Sequence, residues 1–356
     1  MTYLKNFKPE VLALEGYHLN AYDCPVKLNQ NESPFDVPET LKDEILELVR
    51  QKPWSRYPEP MQMDLVHAFA SHVGADPNGV IVANGSNTLL QLILGVISAP
   101  GADVVIPSPS FSLYGMYTRV FSGNVVSVPL TQDYRFDVPA ILKAIGGQNV
   151  RLAILCSPNN PTGCSISNCA LETLLSSTNA LILVDEAYGE FQKQSALDLL
   201  PKHPNLIILK TFSKAFGAAG LRIGYLIAHP DVRNEIIKGK VPFDINVFSH
   251  TAALAILKEV DLIQHRIETI CHERDRVFRA LEQMDKVQVF PSDANLLLFE
   301  VKDPNLVFNG LIEQGVLIRN VTGYPMLEKA LRVSIGSENE NDQFLSALQR
   351  VLSEET

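Results

Sequence analysis

Between about residues 80 and 228 the chain repeats one pattern, a short apolar run followed by a longer stretch of mixed polar and apolar positions. The runs are "GVIVAN", "ADVVIPSP", "NVVSVPL", "VRLAILCSP", "ALILVDE", "NLIILKT" and "RIGYLIA". Four to six aliphatic or β-branched residues bounded by Gly, Pro, Asn or Ser predict strands covered on both faces. Their alternation with helical segments predicts an α/β large domain, a mostly parallel seven-stranded sheet covered by helices. After residue 240 the pattern changes. A long helical region, "FSHTAALAILKEVDLIQHRIETICHERDRVFRALEQM", leads to "VQVFPSDANLLLFEV", "GVLIRNV" and "LRVSIGS" and then to a last helix through "ENDQFLSALQRVL". Helices followed by a few one-sided strands predict a smaller C-terminal α+β domain. The first residues have weak periodicity and read as an extended arm. The expected division is an arm over 1–28, a large domain over 29–243 and a small domain over 244–356.

In an open parallel sheet, functional groups gather where the carboxyl ends of strands open into loops. The polar stretches follow that rule: "NGSNT" follows "VIVA", "SPNNPTG" follows "AILC", "DEAYGEF" follows "LILV" and "TFSK" follows "LIIL". Lys214 therefore sits just past a buried strand, where desolvation and a nearby cation such as Arg222 favour its neutral amine. Asp185 ends a very apolar run, and the backbone N–H groups of Gly85, Ser86 and Asn87 open an apolar helix that suits an anion. Each motif alone has a plain explanation. Gly-Ser-Asn before a helix is commonly a turn with a cap, and Asn, Pro and Gly favour turns anyway. Together, in this order and spacing, they resemble the fold-type-I pyridoxal-phosphate transferases, in their class I/II aminotransferase branch.

The resemblance covers nearly the whole chain and implies pyridoxal 5'-phosphate as cofactor. Lys214 then matches the lysine that bonds the cofactor covalently. Asp185 matches the partner of the ring nitrogen, with Asn160 and Tyr188 at the ring hydroxyl and Phe111 over the ring face. Phosphate contacts fall on Ser86, Asn87, Ser213 and Arg222. A tyrosine from the neighbouring subunit, matched here by Tyr57 of "SRYPEP", implies a homodimer with shared sites. The catalytic set is Lys214, Asp185 and Tyr188.

"KLNQNESPF", "SRYPEP" and "LRVSIG" are further similar to the histidinol-phosphate aminotransferases, whose substrates are histidinol phosphate and glutamate or 2-oxoglutarate. Arg332 and Arg319 are candidates for a pocket that takes both phosphate and carboxylate, since a guanidinium binds either in bidentate fashion. Asn29, Glu32, Asn160 and Tyr17 complete the expected substrate contacts, although "LEGYHLNAY" around Tyr17 lacks the proline-glycine common in that family. Glu32 could instead be an exposed cap, and Arg319 a surface ion pair. An aromatic amino-acid aminotransferase, a threonine-phosphate decarboxylase and a non-catalytic cofactor-binding regulator remain alternatives.

Charge and composition narrow the partners. With 30 Lys and Arg against 40 Asp and Glu, the formal charge is −10, which argues against nucleic acid or an anionic membrane as partner. No apolar run reaches the roughly 18 residues of a membrane span, and "MTYLKNFKPE" has no apolar segment behind its lysines, so a cytoplasmic location is expected. The five cysteines, Cys24, Cys156, Cys164, Cys169 and Cys271, are widely spaced and suggest neither a disulfide framework nor a zinc site. No metal is expected.

Overall fold

The computed structural model describes residues 2–16 and 22–354. The strands run β1 Val26–Lys27, β2 Val80–Ala83, β3 Asp103–Ser108, β4 Asn124–Pro129, β5 Val150–Cys156, β6 Leu181–Asp185, β7 Leu206–Thr211, β8 Gly224–Ala228, β9 Gln288–Val289, β10 Leu296–Glu300, β11 Val316–Leu317, β12 Arg319–Asn320 and β13 Ala330–Ser334. The large sheet has seven strands in the order β2-β8-β7-β6-β5-β3-β4. Only β8 opposes its neighbours β2 and β7; the β3–β4, β3–β5, β5–β6 and β6–β7 pairs are parallel.

Side chains of a strand alternate between the two faces of its sheet, and here both faces are apolar. In β7, Ile207 and Leu209 join the core under the helices Ser86–Ile97 and Leu113–Val120. Leu206 and Ile208 join the opposite core under Val138–Ile145 and Asn168–Ser176. β5 and β6 alternate in the same way, with Ile154 and Leu183 on one side and Leu155 and Val184 on the other. Two-sided burial is why these strands read as unbroken apolar runs.

The smaller sheet, β12-β13-β10-β9, is antiparallel. Three features depart from the pattern read in the sequence. The long helical region is two helices, Val247–Ile256 and Val260–Glu282, broken at residues 257–259. The first is buried almost all round and packs against the helices Glu39–Arg50 and Met63–Val73. The arm is not simply extended: it forms a 3-10 turn at Thr2–Asn6 and a short helix at Pro9–Leu12. Finally, β1 pairs in parallel with β11, which ties residues 26–27 to the C-terminal strands.

Candidate active site

The carboxyl ends of β2, β3, β5, β6 and β7 open on one cleft lined by Ser86, Asn87, Phe111, Asn160, Asp185, Tyr188, Ser213, Lys214 and Arg222. The opposite wall brings Asn29, Glu32, Arg319 and Arg332. Sequence motifs separated by some 300 positions thus share one cavity.

Lys214 is held by the loop that follows β7. Phe212 and Phe216 stack beneath it with centroids 3.9 Å apart, and Phe69 meets Phe212 edge-on at 5.1 Å. Gly217 (φ +64°) completes the turn where any Cβ would stand 2.5 Å from the Phe35 carbonyl. The half-buried Lys214 Nζ donates to the Gln30 carbonyl at 2.8 Å. Burial, reinforced by Arg332, Arg222 and Lys27 against the opposing pull of Glu32, pushes its amine down to about 7. A lysine so placed is a nucleophile near neutrality.

Asp185 is 6% exposed at the cleft floor. Its carboxylate accepts from the Tyr114 hydroxyl at 2.7 Å and the Ala187 N–H at 3.0 Å. Burial pushes Asp185 up to about 6; the two hydrogen bonds oppose this and neighbouring Glu186 adds to it. No Lys or Arg among the described residues pairs with it. A buried carboxylate without a cation is a seat for one.

The other end of the cleft is cationic. Helix Ser86–Ile97 begins behind Gly85 (φ +87°), where a Cβ would lie 2.7 Å from Arg222 Nη2. Glycine lets the helix start and the guanidinium come together, and Arg222 is steadied by the Ser213 hydroxyl at 3.3 Å and the Ala219 carbonyl at 3.1 Å. Arg222 forms no ion pair among the described residues. Helix N–H groups beside an unpaired guanidinium make an anion seat.

Arg332, 6% exposed, donates to Asn160 Oδ1 and to the Asn29 carbonyl, both at 2.6 Å. Arg319 lies directly opposite Arg332 in the β12–β13 register, a like-charge pairing that is unfavourable until an anion joins it. Glu32 is tied to Lys27 at 2.7 Å at the cleft edge. Tyr57 is absent from this cleft: it is 84% exposed and packs against Phe243 with ring centroids 4.8 Å apart. Tyr17 lies outside the described residues.

Sequence reasoning missed several groups. Tyr114, in the first turn of helix Leu113–Val120, meets the ring of Phe111 just before that helix edge-on at 5.5 Å. Asn31 (1% exposed) donates to the Tyr188 hydroxyl at 2.8 Å and is fixed by Ser334 at 2.8 and 3.0 Å. Its signal was present: residues 29, 31 and 32 share one motif, but only contact with Tyr188 singles out Asn31. Tyr324 also lines the cleft, from a loop without a periodic pattern.

The family model for aminotransferase class I and II matches residues 25–348. The chain belongs to the class I and II aminotransferases. Within that family it is 41% identical over 345 residues to a histidinol-phosphate aminotransferase of Chlorobaculum tepidum, covering 96% of this chain and 99% of the other. It is 42% identical to one from Chlorobaculum parvum, covering 96% and 97%. Among solved structures, the histidinol-phosphate aminotransferase of Sinorhizobium meliloti in complex with pyridoxal-5'-phosphate superposes with a TM-score of 0.89 at 26% identity, covering 98% of both chains. This class I and II aminotransferase has no helix among its described residues long and apolar enough to cross a membrane. Those residues also form no cluster of three or more His, Cys, Asp or Glu suited to a metal ion.

Proposed function

We propose that this chain exchanges an amino group between L-histidinol phosphate and 2-oxoglutarate, giving imidazole acetol phosphate and glutamate, with pyridoxal 5'-phosphate as cofactor. The observation that carries the reading is the pair Arg319 and Arg332, facing each other across one ladder and opening on the same cavity as Lys214. Two guanidinium groups suit a phosphate in one half-reaction and a carboxylate in the other. The names of the Chlorobaculum relatives agree with that substrate.

The residues fit the cofactor. The Gly85 cradle, Ser86, Asn87, Ser213 and Arg222 would hold its phosphate, and the buried, uncompensated Asp185 its protonated ring nitrogen. Asn160 and Tyr188 would meet the ring hydroxyl, Phe111 a ring face, and Lys214 would bond to it covalently. When bound, this cofactor supplies an electron sink that lets a C–H bond beside the amino nitrogen ionise.

The protein's own residues do the rest. Lys214 Nζ, whose lowered pKa leaves much of it as free amine near neutrality, accepts the proton from the substrate carbon and returns it at the neighbouring position. Asp185, anionic above about pH 6, keeps a proton on the ring nitrogen. Arg332 fixes Asn160 and the Asn29 carbonyl, so substrate anion and cofactor share one hydrogen-bonded wall. Tyr57 of a second copy would reach the phosphate in a homodimer, consistent with its exposure and with its absence from this chain's cleft.

Replacing Arg332 or Arg319 by Leu tests the reading. Loss of a charge-assisted pair is expected to raise KM for histidinol phosphate about 10- to 100-fold, and for 2-oxoglutarate as well. Unchanged KM values in both variants would contradict the anion pocket.

A further inference from the structure

Asp185 has a charged cluster behind it that the reaction just described does not use. Successive residues point to opposite faces, so Glu186 turns away from the cleft. It is fully buried, and its carboxylate accepts from the Ser195 hydroxyl at 2.8 and 3.1 Å and the Ala196 N–H at 2.6 Å. Lys210 of β7, 5% exposed, places Nζ 3.0 Å from Glu186 and 3.0 Å from Glu190. Two carboxylates share one ammonium, so the cluster carries a net negative charge inside the protein. Burying charges is unfavourable even in pairs, and an apolar packing would serve stability as well. The remaining neighbours do not neutralise the excess. Tyr225, opposite Lys210 in the β7–β8 register, has a buried hydroxyl with no hydrogen-bond partner among the described residues. His72, from helix Met63–Val73, is pushed down by burial, against the pull of Glu190, and so favours its neutral form.

We propose that Glu186, ion-paired to Lys210 on the far face of the sheet, is a positioning residue that strengthens the hold of Asp185 on the proton of the cofactor ring nitrogen. A negative charge one residue away makes the Asp185 carboxylate more basic, and a more basic carboxylate keeps a shared proton more firmly on the pair. The groups facing Asp185 inside the cleft, Tyr114, Cys156 and Tyr188, are all pushed up by burial. They carry no charge near neutrality; Lys214, Arg222, Arg319 and Arg332 are the cations lining the same cavity, and its other carboxylate, Glu32, is tied to Lys27 at the cleft edge. Glu186 is therefore the anion next to Asp185, and it acts through Asp185 without touching the cofactor. The inference rests on the cofactor reading proposed above.

The test is equilibrium binding of pyridoxal 5'-phosphate across pH 5–9 in a Lys214→Ala parent, where no covalent bond masks the ring contact. The parent should bind in a window bounded at low pH by protonation of Asp185 and at high pH by loss of the ring proton. Adding Glu186→Gln should move both limbs down, by about one pH unit, which is tenfold in affinity on either flank. Glu190→Gln, at the edge of the same cluster, should move them the same way by less, and it decides the matter if Glu186→Gln does not fold. The ligand's own phosphate ionisation is common to all variants. A uniform loss of affinity with unmoved limbs would assign Glu186 a structural role only and overturn the inference. A parent that binds no pyridoxal 5'-phosphate at any pH would instead overturn the cofactor reading.

Discussion

At the scale of single residues, two groups in the cleft have surroundings that push them toward each other's range. Lys214 is lowered to about 7 and Asp185 raised to about 6, so near pH 7 a large share of the lysine is free amine while Asp185 is mostly carboxylate. Lys214→Ala should abolish turnover while pyridoxal 5'-phosphate still binds non-covalently; turnover retained by that variant would remove the lysine from the mechanism. Asp185→Asn should fold normally and lose about 100-fold or more in kcat, because a neutral amide cannot keep a ring proton; near-native turnover would exclude that role. The lowered lysine also has a stability signature in the cofactor-free protein. Between pH 7 and its unfolded value of about 10.4, the unfolded chain binds more protons at this site than the folded one. The penalty is therefore complete below pH 7 and fades as pH rises through that window. Lys214→Met should flatten that part of the curve of unfolding free energy against pH; an unchanged rise would show that burial does not perturb the lysine. That Lys214, Asp185, Asn160 and Arg222 share one cleft was legible in the sequence, because each belongs to a motif at a strand end. Tyr114, Asn31 and the Lys210 cluster were not, since their roles follow from contacts between distant segments.

At the scale of elements, the seven strands were readable because a two-sided core demands unbroken apolar runs, and β5, β6 and β7 supply them to opposite cores in alternation. The break at residues 257–259 carries no Gly or Pro to mark it. Two helices packed against different neighbours look like one when only periodicity is read. The pairing of β1 with β11 has no local signal either, since two residues are too few for a pattern. One element boundary has a direct consequence for the site: helix Ser86–Ile97 can begin beside Arg222 because residue 85 lacks a Cβ. Gly85→Ala should leave the secondary structure intact yet weaken cofactor binding about tenfold or more, through the strained φ and the displaced guanidinium. Titration of the apoprotein with pyridoxal 5'-phosphate measures this, and unaltered affinity would place the phosphate elsewhere.

At the scale of the whole molecule, Trp54 and Tyr57 are 74% and 84% exposed, and Met61, Val241 and Phe243 are exposed as well. An exposed aromatic and aliphatic group of this kind fits an interface between two copies. In such a homodimer Tyr57 would serve the partner's cleft, so Tyr57→Ala should weaken pyridoxal 5'-phosphate binding although the residue is absent from its own chain's site. Light scattering with cofactor titration checks both statements, and a monomer with unaltered affinity would refute them. The central claim joins the arginine pair to the lysine in one catalytic cavity, and a single half-reaction tests it most directly. With no keto acid present, the visible absorbance of the protein-bound cofactor is followed as histidinol phosphate, glutamate, phenylalanine or threonine phosphate is added. Loss of that absorbance at low concentrations of histidinol phosphate and of glutamate, with phenylalanine and threonine phosphate weak, is the predicted result. Equal response to phenylalanine and histidinol phosphate, or no response to histidinol phosphate at all, would contradict it.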